Sequence, residues 1–308
     1  MAELDVATSE NNIQESIAQV YIQILYAAES VKVNENTLQV SIAQRDRGQE
    51  LPNAGSIANS DLAQLEAQVS TDRYQLVTAQ ATLEDYKLQL KQLLELDGEN
   101  EMNIYLPTLS DENVLAPLPT KRDVYISALS LRPEIEASKL NVEASELGIN
   151  IAKSSYFPTI SLSAGIGTNH TSGSDFTFGE QVKNGWNNSI GLSVSVPIFN
   201  NRQTKSAVQK AKLQYETSML SLLDEQKALY KTIESLWLDA NSAQQRYAAA
   251  NEKLKSTQIS YELISEQFNL GMKNTVELLT EKNNLLQAQQ EQLQAKYMAI
   301  LNLSLIHI

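Results

Sequence analysis

Side chains that could ligate a transition metal or act as a nucleophile are scarce in this chain. Its 308 residues contain no cysteine and two histidines, His170 and His307. The two histidines lack the spacing of a metal site. His170, with Asp175 nearby, lies in a polar segment typical of an exposed loop. No set of nucleophile, base and acid is recognisable, so we predict no enzymatic activity, no metal and no cofactor.

Carboxylates are the abundant chemical groups. Asp and Glu number 37 against 24 Lys and Arg, which gives a net charge of −13. A nucleic-acid-binding surface requires clustered basic residues, so we exclude nucleic acid as a partner. Carboxylates that line a water-filled passage would favour cations, whereas carboxylates on solvated helix faces would serve solubility alone.

Apolar residues repeat every seven positions through the first 100 residues, where they form two seams. Such heptads turn one apolar seam toward a partner helix. Between the seams, Arg45-Asp46-Arg47-Gly48, Pro52 and Gly55 predict the end of a helix and a turn. We therefore predict a helical hairpin over residues 1–100, with arms about 50 Å long. The seam residues are Ile17, Ile24, Val31 and Leu38 in the first arm, and Leu62, Val69, Leu76, Leu83 and Leu90 in the second.

A second helical hairpin is predicted over residues 199–303, with its turn near Gly271. Residues 101–122 contain three prolines and predict a linker. Residues 123–156 predict a helix that is interrupted at Arg132-Pro133-Glu134. The seams of the second hairpin are Ile233, Leu254, Tyr261 and Phe268, followed by Leu279, Leu286, Leu293 and Ile300.

Residues 157–198 change to an alternation of period two. Ile160, Leu162, Ala164 and Ile166 alternate with serine and glycine, and so do Ile190, Leu192, Val194 and Val196. This pattern predicts two strands joined by a loop over residues 168–188, of a length that matches a tilted membrane strand. A soluble hairpin with one buried face would show the same alternation. The residues expected at the strand openings and the membrane interface are Tyr156, Phe157, Pro158 and Trp186.

The two hairpins are related by a constant shift of about 216 residues, obtained by matching equivalent positions. The shift places Gly55 on Gly271 and Leu62 on Leu278, and it holds without gaps across both arms. One structural unit is therefore expected to be used twice.

Several motifs resemble those of the TolC family of outer-membrane efflux proteins. One is Leu131-Arg132-Pro133-Glu134-Ile135, which leads to Ala152-Lys153-Ser154-Ser155-Tyr156-Phe157-Pro158 before the first strand. The second strand, from Gly191 to Phe199, and the turn Phe268-Asn269-Leu270-Gly271 with Glu277-Leu278-Leu279 also resemble the family. The resemblance covers nearly the whole chain.

The resemblance implies a mainly α fold of long coiled-coil hairpins in two repeats, forming part of a helical barrel, with membrane strands that contribute to a trimeric β-barrel. It implies an outer-membrane location in a Gram-negative bacterium, with the helices in the periplasm. The implied function is a passive export duct that works with a periplasmic adaptor and an inner-membrane pump. The implied partners are two further copies of the chain, the adaptor, the pump and outer-membrane lipid.

The resemblance also implies roles for residues at the hairpin turns. The residues expected to contact the adaptor are Gly55, Asp61, Leu62, Gly271, Met272 and Leu278. The candidate pore-gate carboxylates are Glu266, Glu277 and Glu281. Each of these carboxylates is equally consistent with a solvated charge on a helix.

Two expectations remain beside the channel. A soluble coiled-coil scaffold that binds partner helices would explain both hairpins but not residues 157–198.

The family's first strand pair and signal peptide would precede residue 1, and the last residues, to Ile308, do not resemble the family's closing helix. We therefore expect a fragment of a longer protein.

Overall fold

The computed structural model describes residues 2–50, 58–96, 104–105, 107, 114–173 and 175–307. Two compact units are present, one formed by residues 1–134 with 227–308 and the other by residues 135–226. The bounded helices are α1 (Ala2–Glu50), α2 (Asn59–Leu93), α3 (Lys121–Leu131), α4 (Pro133–Ser154), α5 (Phe178–Asn184), α6 (Gln203–Asn269) and α7 (Thr275–His307), and the strands are β1 (Thr159–Gly167) and β2 (Asn187–Ser195). Long helices with one strand pair confirm the predicted fold class.

The core of the first unit combines predicted seam residues, among them Ile24, Val69 and Leu293, with residues off the predicted seams, such as Leu25 and Leu65. Helices α1 and α2 form the first hairpin, and α7 packs against it. Ile24 is fully buried, and Leu65 and Leu293 are 1% and 4% exposed. One cluster joins α1 to α7 through Ile22, Leu25, Leu293 and Tyr297. Burying each such side chain contributes about 1.5–3 kcal/mol, so these buried residues supply the main attraction between these helices.

The predicted helix end at Arg45–Gly48 is wrong. Helix α1 continues through these residues to Glu50. Gly48 is buried within the helix. Glycine costs only about 1 kcal/mol inside a helix, so one such residue does not end a helix of 49 residues. Pro52 and Gly55, the other residues of the predicted turn, lie outside the described residues.

The predicted interruption before Pro133 is confirmed. Helix α3 ends at Leu131, and Arg132 adopts an extended conformation with φ −74° and ψ 120°. The proline ring disfavours helical geometry in the residue before it, while proline itself fits the first position of α4. The regular helical backbone is therefore interrupted at Arg132.

A short segment ahead of α3 lies along α6. The Gln244 side chain donates to the carbonyls of Val114 and Ala116, at 3.0 and 2.7 Å. The Trp237 indole donates to the Pro119 carbonyl at 3.0 Å. Val114 is fully buried against Tyr247 and its neighbours, so this part of the predicted linker is anchored by both polar and apolar contacts.

The second hairpin consists of α6 and α7. Lys253 and Glu291 form an ion pair across it at 2.6 Å, and Ser260 donates to Glu281 at 3.1 Å.

None of the helices in the described part of the chain has the length and apolar character that crossing a bilayer requires.

The second unit contains β1 and β2, which pair antiparallel with all nine residues of each strand in register. The connection between them is more ordered than the predicted loop over residues 168–188. It includes α5, and β2 begins at Asn187. Helix α5 starts with a capping interaction in which the Thr177 backbone N–H donates to the Glu180 carboxylate at 2.9 Å.

Candidate functional site

The strand pair separates apolar from small polar side chains completely along its middle. On one face the cross-strand pairs are Ile160 with Val194, Leu162 with Leu192, and Ala164 with Ile190. On the other face they are Thr159 with Ser195, Ser161 with Ser193, Ser163 with Gly191, and Gly165 with Ser189. A Cβ atom at Gly191 would lie 2.9 Å from the Ser163 hydroxyl, so a side chain there would require that hydroxyl to move.

The apolar face of the strand pair is open in the chain alone. Leu162 is 76% exposed and Ile190 is 83% exposed. At the strand ends, Tyr156, Phe157 and Trp186 are also exposed. Pro158 directly precedes β1. The predicted interface residues therefore all lie at the ends of this two-stranded sheet.

The turn between α6 and α7, which we call the second tip, is closed by Gly271. This residue has φ +74°, a left-handed conformation that glycine adopts without strain. The Gly271 N–H donates to the Phe268 carbonyl at 2.9 Å, and the Met272 N–H donates to the Gln267 carbonyl at 2.9 Å. These two bonds form a Schellman motif that satisfies the last carbonyls of α6.

Glu277 caps the beginning of α7 at the second tip. The Glu277 N–H donates to the Asn274 side-chain oxygen at 2.9 Å, and the Asn274 N–H donates back to the Glu277 carboxylate at 3.2 Å. Lys273 pairs with the same carboxylate at 2.5 Å. The Lys273 hydrogen bond, followed by the one from Asn274, lowers the pKa of Glu277. A candidate gate carboxylate is thus already engaged within its own subunit.

The other two candidate gate carboxylates have different surroundings. Glu266 is exposed in the last turn of α6. Glu281 is half-buried and accepts hydrogen bonds from Ser260 at 3.1 Å and from Asn284 at 3.4 Å. Glu277 and Glu281 are four residues apart and share one face of α7, whereas Glu266 belongs to the opposite arm.

The residues predicted to contact an adaptor divide by exposure. Gly271 and Met272 are exposed, the latter to 64%. Leu278 is 1% exposed and therefore packs inside the second tip rather than offering a surface. At the start of α2, Asp61 and Leu62 are half-buried, and their N–H groups donate to the Ala58 carbonyl. Gly55 lies outside the described residues.

Two exposed apolar residues were missed at the second tip. Leu270 is 68% exposed and Val276 is 58% exposed, on either side of Met272. Their position off the heptad seam, in or next to a turn, was the available signal, because an apolar residue there has no core to enter.

A buried polar cluster in the first unit was also missed. Ser41 of α1 donates to the Asp72 carboxylate of α2 at 2.5 Å, and Lys282 of α7 pairs with the same carboxylate. Asp72 and Lys282 are 1% and 3% exposed. Each cluster residue follows a seam residue by three positions, which is a core position of the heptad. Charged residues at such positions were the signal.

Metal ligation finds no support in the described ranges, where no group of three or more His, Cys, Asp or Glu side chains is arranged to hold an ion.

Comparison with known proteins gives a consistent result. Residues 124–303 match the family described as "Outer membrane efflux protein". Over 290 residues the chain is 24% identical to the outer membrane efflux protein BepC of Brucella suis, covering 94% of this chain and 60% of BepC. Over 306 residues it is 24% identical to the outer membrane protein TolC of Escherichia coli, covering 96% of this chain and 60% of TolC.

The fold is also similar to that of a solved outer-membrane channel, OprN. The TM-score is 0.80 at 19% sequence identity, covering 99% of this chain and 67% of OprN. The chain spans about three fifths of the length of the curated relatives that it matches.

Proposed function

The chain belongs to the outer membrane efflux protein family, and from that premise we propose that it is part of a channel subunit that conducts cargo passively through the outer membrane. The observation that carries this proposal is the strand pair, whose cross-strand pairs are apolar on one face and small and polar on the other. An apolar face suits lipid, and a face of serine and glycine suits a water-filled lumen. The duct extends into the periplasm through the helical hairpins.

The strand pair cannot serve this function alone. Its two outer edges carry unpaired backbone groups, and these are not tolerated in lipid. Closure requires further strands, which we assign to other parts of the full-length protein and to two more copies of it. A homotrimer is the assembly proposed here.

The second tip is the proposed docking site for a periplasmic adaptor that connects the channel to an inner-membrane pump. Leu270, Met272 and Val276 expose apolar surface around the tight turn at Gly271. Exposed apolar groups at the end of a polar hairpin favour a protein partner. This set replaces the buried Leu278 in the proposed contact surface.

The candidate gate carboxylates remain part of the proposal with unequal roles. Glu266 is exposed and free to face other copies across a symmetric opening. Glu277 is held by Asn274 and Lys273, so its main contribution is to the shape of the tip. A ring of Glu266 carboxylates would favour cations over anions.

The relative BepC is named an outer membrane efflux protein, and the proposed function is passive conduction. We therefore assign no enzymatic activity.

The test begins with fractionation of cells that express the full-length protein. We expect it in the outer-membrane fraction, running as an oligomer of about three subunits on an unheated gel and as a monomer after heating. A protein recovered from the soluble fraction as a monomer would reject the channel and favour a coiled-coil scaffold.

A further inference from the structure

The buried polar cluster joins three helices of the first unit at a single carboxylate. One Asp72 oxygen accepts from Ser41 at 2.5 Å and pairs with Lys282, and the other accepts from the Gln68 side chain at 2.9 Å. Gln68 also reaches Asn283 of α7 at 3.3 Å. The cluster therefore ties both arms of the first hairpin to one arm of the second.

The cluster lies in seams that are mostly apolar, with Asn34 of α1 and Thr275 of α7 as further buried polar residues. Leu65 and Val69 precede Asp72 in α2, while Leu278 and Leu286 flank Lys282 in α7, and all four are buried. Burial lowers the pKa of Lys282, and the hydrogen bond and charge of Asp72 offset this effect only in part. Removing two charges from water offsets much of their mutual attraction, so a buried ion pair is weak evidence for a net gain in stability.

The repeating seams leave the alignment of these helices under-determined. Leucine or a similar residue recurs every seven positions, so sliding α7 by one heptad, about 10 Å, would again place apolar side chains on apolar side chains. The polar cluster is not repeated. A slip of one heptad would place Lys282 opposite Leu65 or Ala79 instead of Asp72, leaving a buried ammonium without a partner.

We propose that Ser41, Asp72 and Lys282 form a register lock, which permits one axial alignment of α7 against the first hairpin. The lock trades stability for uniqueness, as single polar residues do in the core of coiled coils. It holds whether or not the protein is a channel, because its contacts lie within one unit of one chain.

The deciding experiment measures the alignment directly. The 308 residues contain no cysteine, so A67C and T280C introduce two labelling sites at exposed positions of α2 and α7, and any cysteine elsewhere in the full-length protein is replaced by serine. Spin labels on these sites, in full-length protein diluted with unlabelled copies, report the distance between the helices by electron double resonance. The parent protein is expected to give one narrow distance distribution.

The double variant D72V/K282M replaces both charged residues by apolar residues of similar size and removes the lock. We expect it to fold with an unchanged or higher Tm and to show a second distance population, or a broad distribution, displaced by as much as about 10 Å. A single narrow distribution identical to that of the parent would overturn the proposal. Failure of this variant to fold would also overturn it, since the pair would then be needed for stability.

Two further variants isolate the cause. D72N alone strands the Lys282 ammonium, and we expect its Tm to fall on the order of 10 °C. K253M/E291L removes an ion pair that also involves α7 but is 48% and 41% exposed. This control is expected to leave both Tm and the distance distribution unchanged. A broadened distribution in the control would count against the proposal, because loss of an exposed ion pair would then disturb the alignment as well.

Discussion

The helical seams and the strand pair use the same kinds of apolar residue in opposite ways. In the first unit, Leu65 and Leu293 are almost entirely buried, whereas Leu162 and Leu192 of the strands are 76% and 69% exposed. The helices carry their own partner surfaces, so their leucines pack within the chain. The strands carry none, so we propose that their leucines contact lipid. The period of the apolar pattern therefore determines whether a helix or a strand forms, while the surroundings determine what its apolar face contacts.

The largest expected effect lies in the seams. Leu65→Ala is expected to reduce the free energy of unfolding by about 2–5 kcal/mol, because it leaves a cavity between packed helices. Leu88→Ala, at a 49% exposed position of the same helix, is the matched control and should cost less than about 1 kcal/mol. Denaturant unfolding followed by circular dichroism measures both. Equal losses of unfolding free energy in the two variants would show that burial in the seam does not set the contribution of these leucines.

The next effect lies on the apolar face of the strands. Leu162→Arg places a charge at the middle of β1, where we expect a cost of about 2–4 kcal/mol in lipid and a reduced yield of heat-sensitive oligomer in the outer membrane. Ser161→Arg, one residue away on the opposite face, should preserve assembly. If both variants assemble equally, the outward apolar face is not a lipid face.

A smaller effect tests the second tip, where backbone geometry rather than burial sets the structure. Gly271→Ala is expected to destabilise by about 1–2 kcal/mol because of the left-handed backbone, and Gly271→Asn by less, since asparagine tolerates that conformation. Gly148→Ala in α4 meets no atom within 4 Å and should be neutral or stabilising. Thermal unfolding of the three variants ranks them.

The smallest effect concerns acid. Because the pKa of Glu277 is lowered below its ordinary value of 4.5, its cap contributes fully above about pH 4.5 and is lost as the pH falls through the lowered pKa. Carbon-13 NMR of the labelled carboxyl groups, with Glu277→Gln to assign the signal, follows this titration. Lys273→Met should move the midpoint upward. An unchanged midpoint would show that Lys273 does not hold the carboxylate.

Regular patterns in the sequence predicted regular structure well. The heptad seams, the break before Pro133 and the strand alternation each follow from a local rule, and the strands pair so that Ile160, Leu162 and Ala164 share one face as expected. The helix end near Gly48 was mispredicted because the sequence alone does not distinguish a buried glycine inside a helix from a glycine in a turn.

The site was less predictable than the fold. The gate candidate Glu277 was identified as a charge, but its capping role depends on the hydrogen bonds of Asn274, which sequence spacing suggests and only geometry establishes. The pairing of Asp72 with Lys282 joins residues 210 positions apart. No local rule connects them, since the contact depends on how two hairpins align.

The strand pair also bears on the order of folding. An isolated two-stranded sheet is marginal in water, and here both faces of both strands are exposed, so the ladder gains nothing from a core of its own. The helices, in contrast, bury their seams through neighbouring arms of one chain. We therefore expect the hairpins to fold first in water and the strands to become stable last, when lipid and further strands supply what the chain lacks. Completion of folding then depends on arrival at the membrane, because the strand pair becomes stable only there.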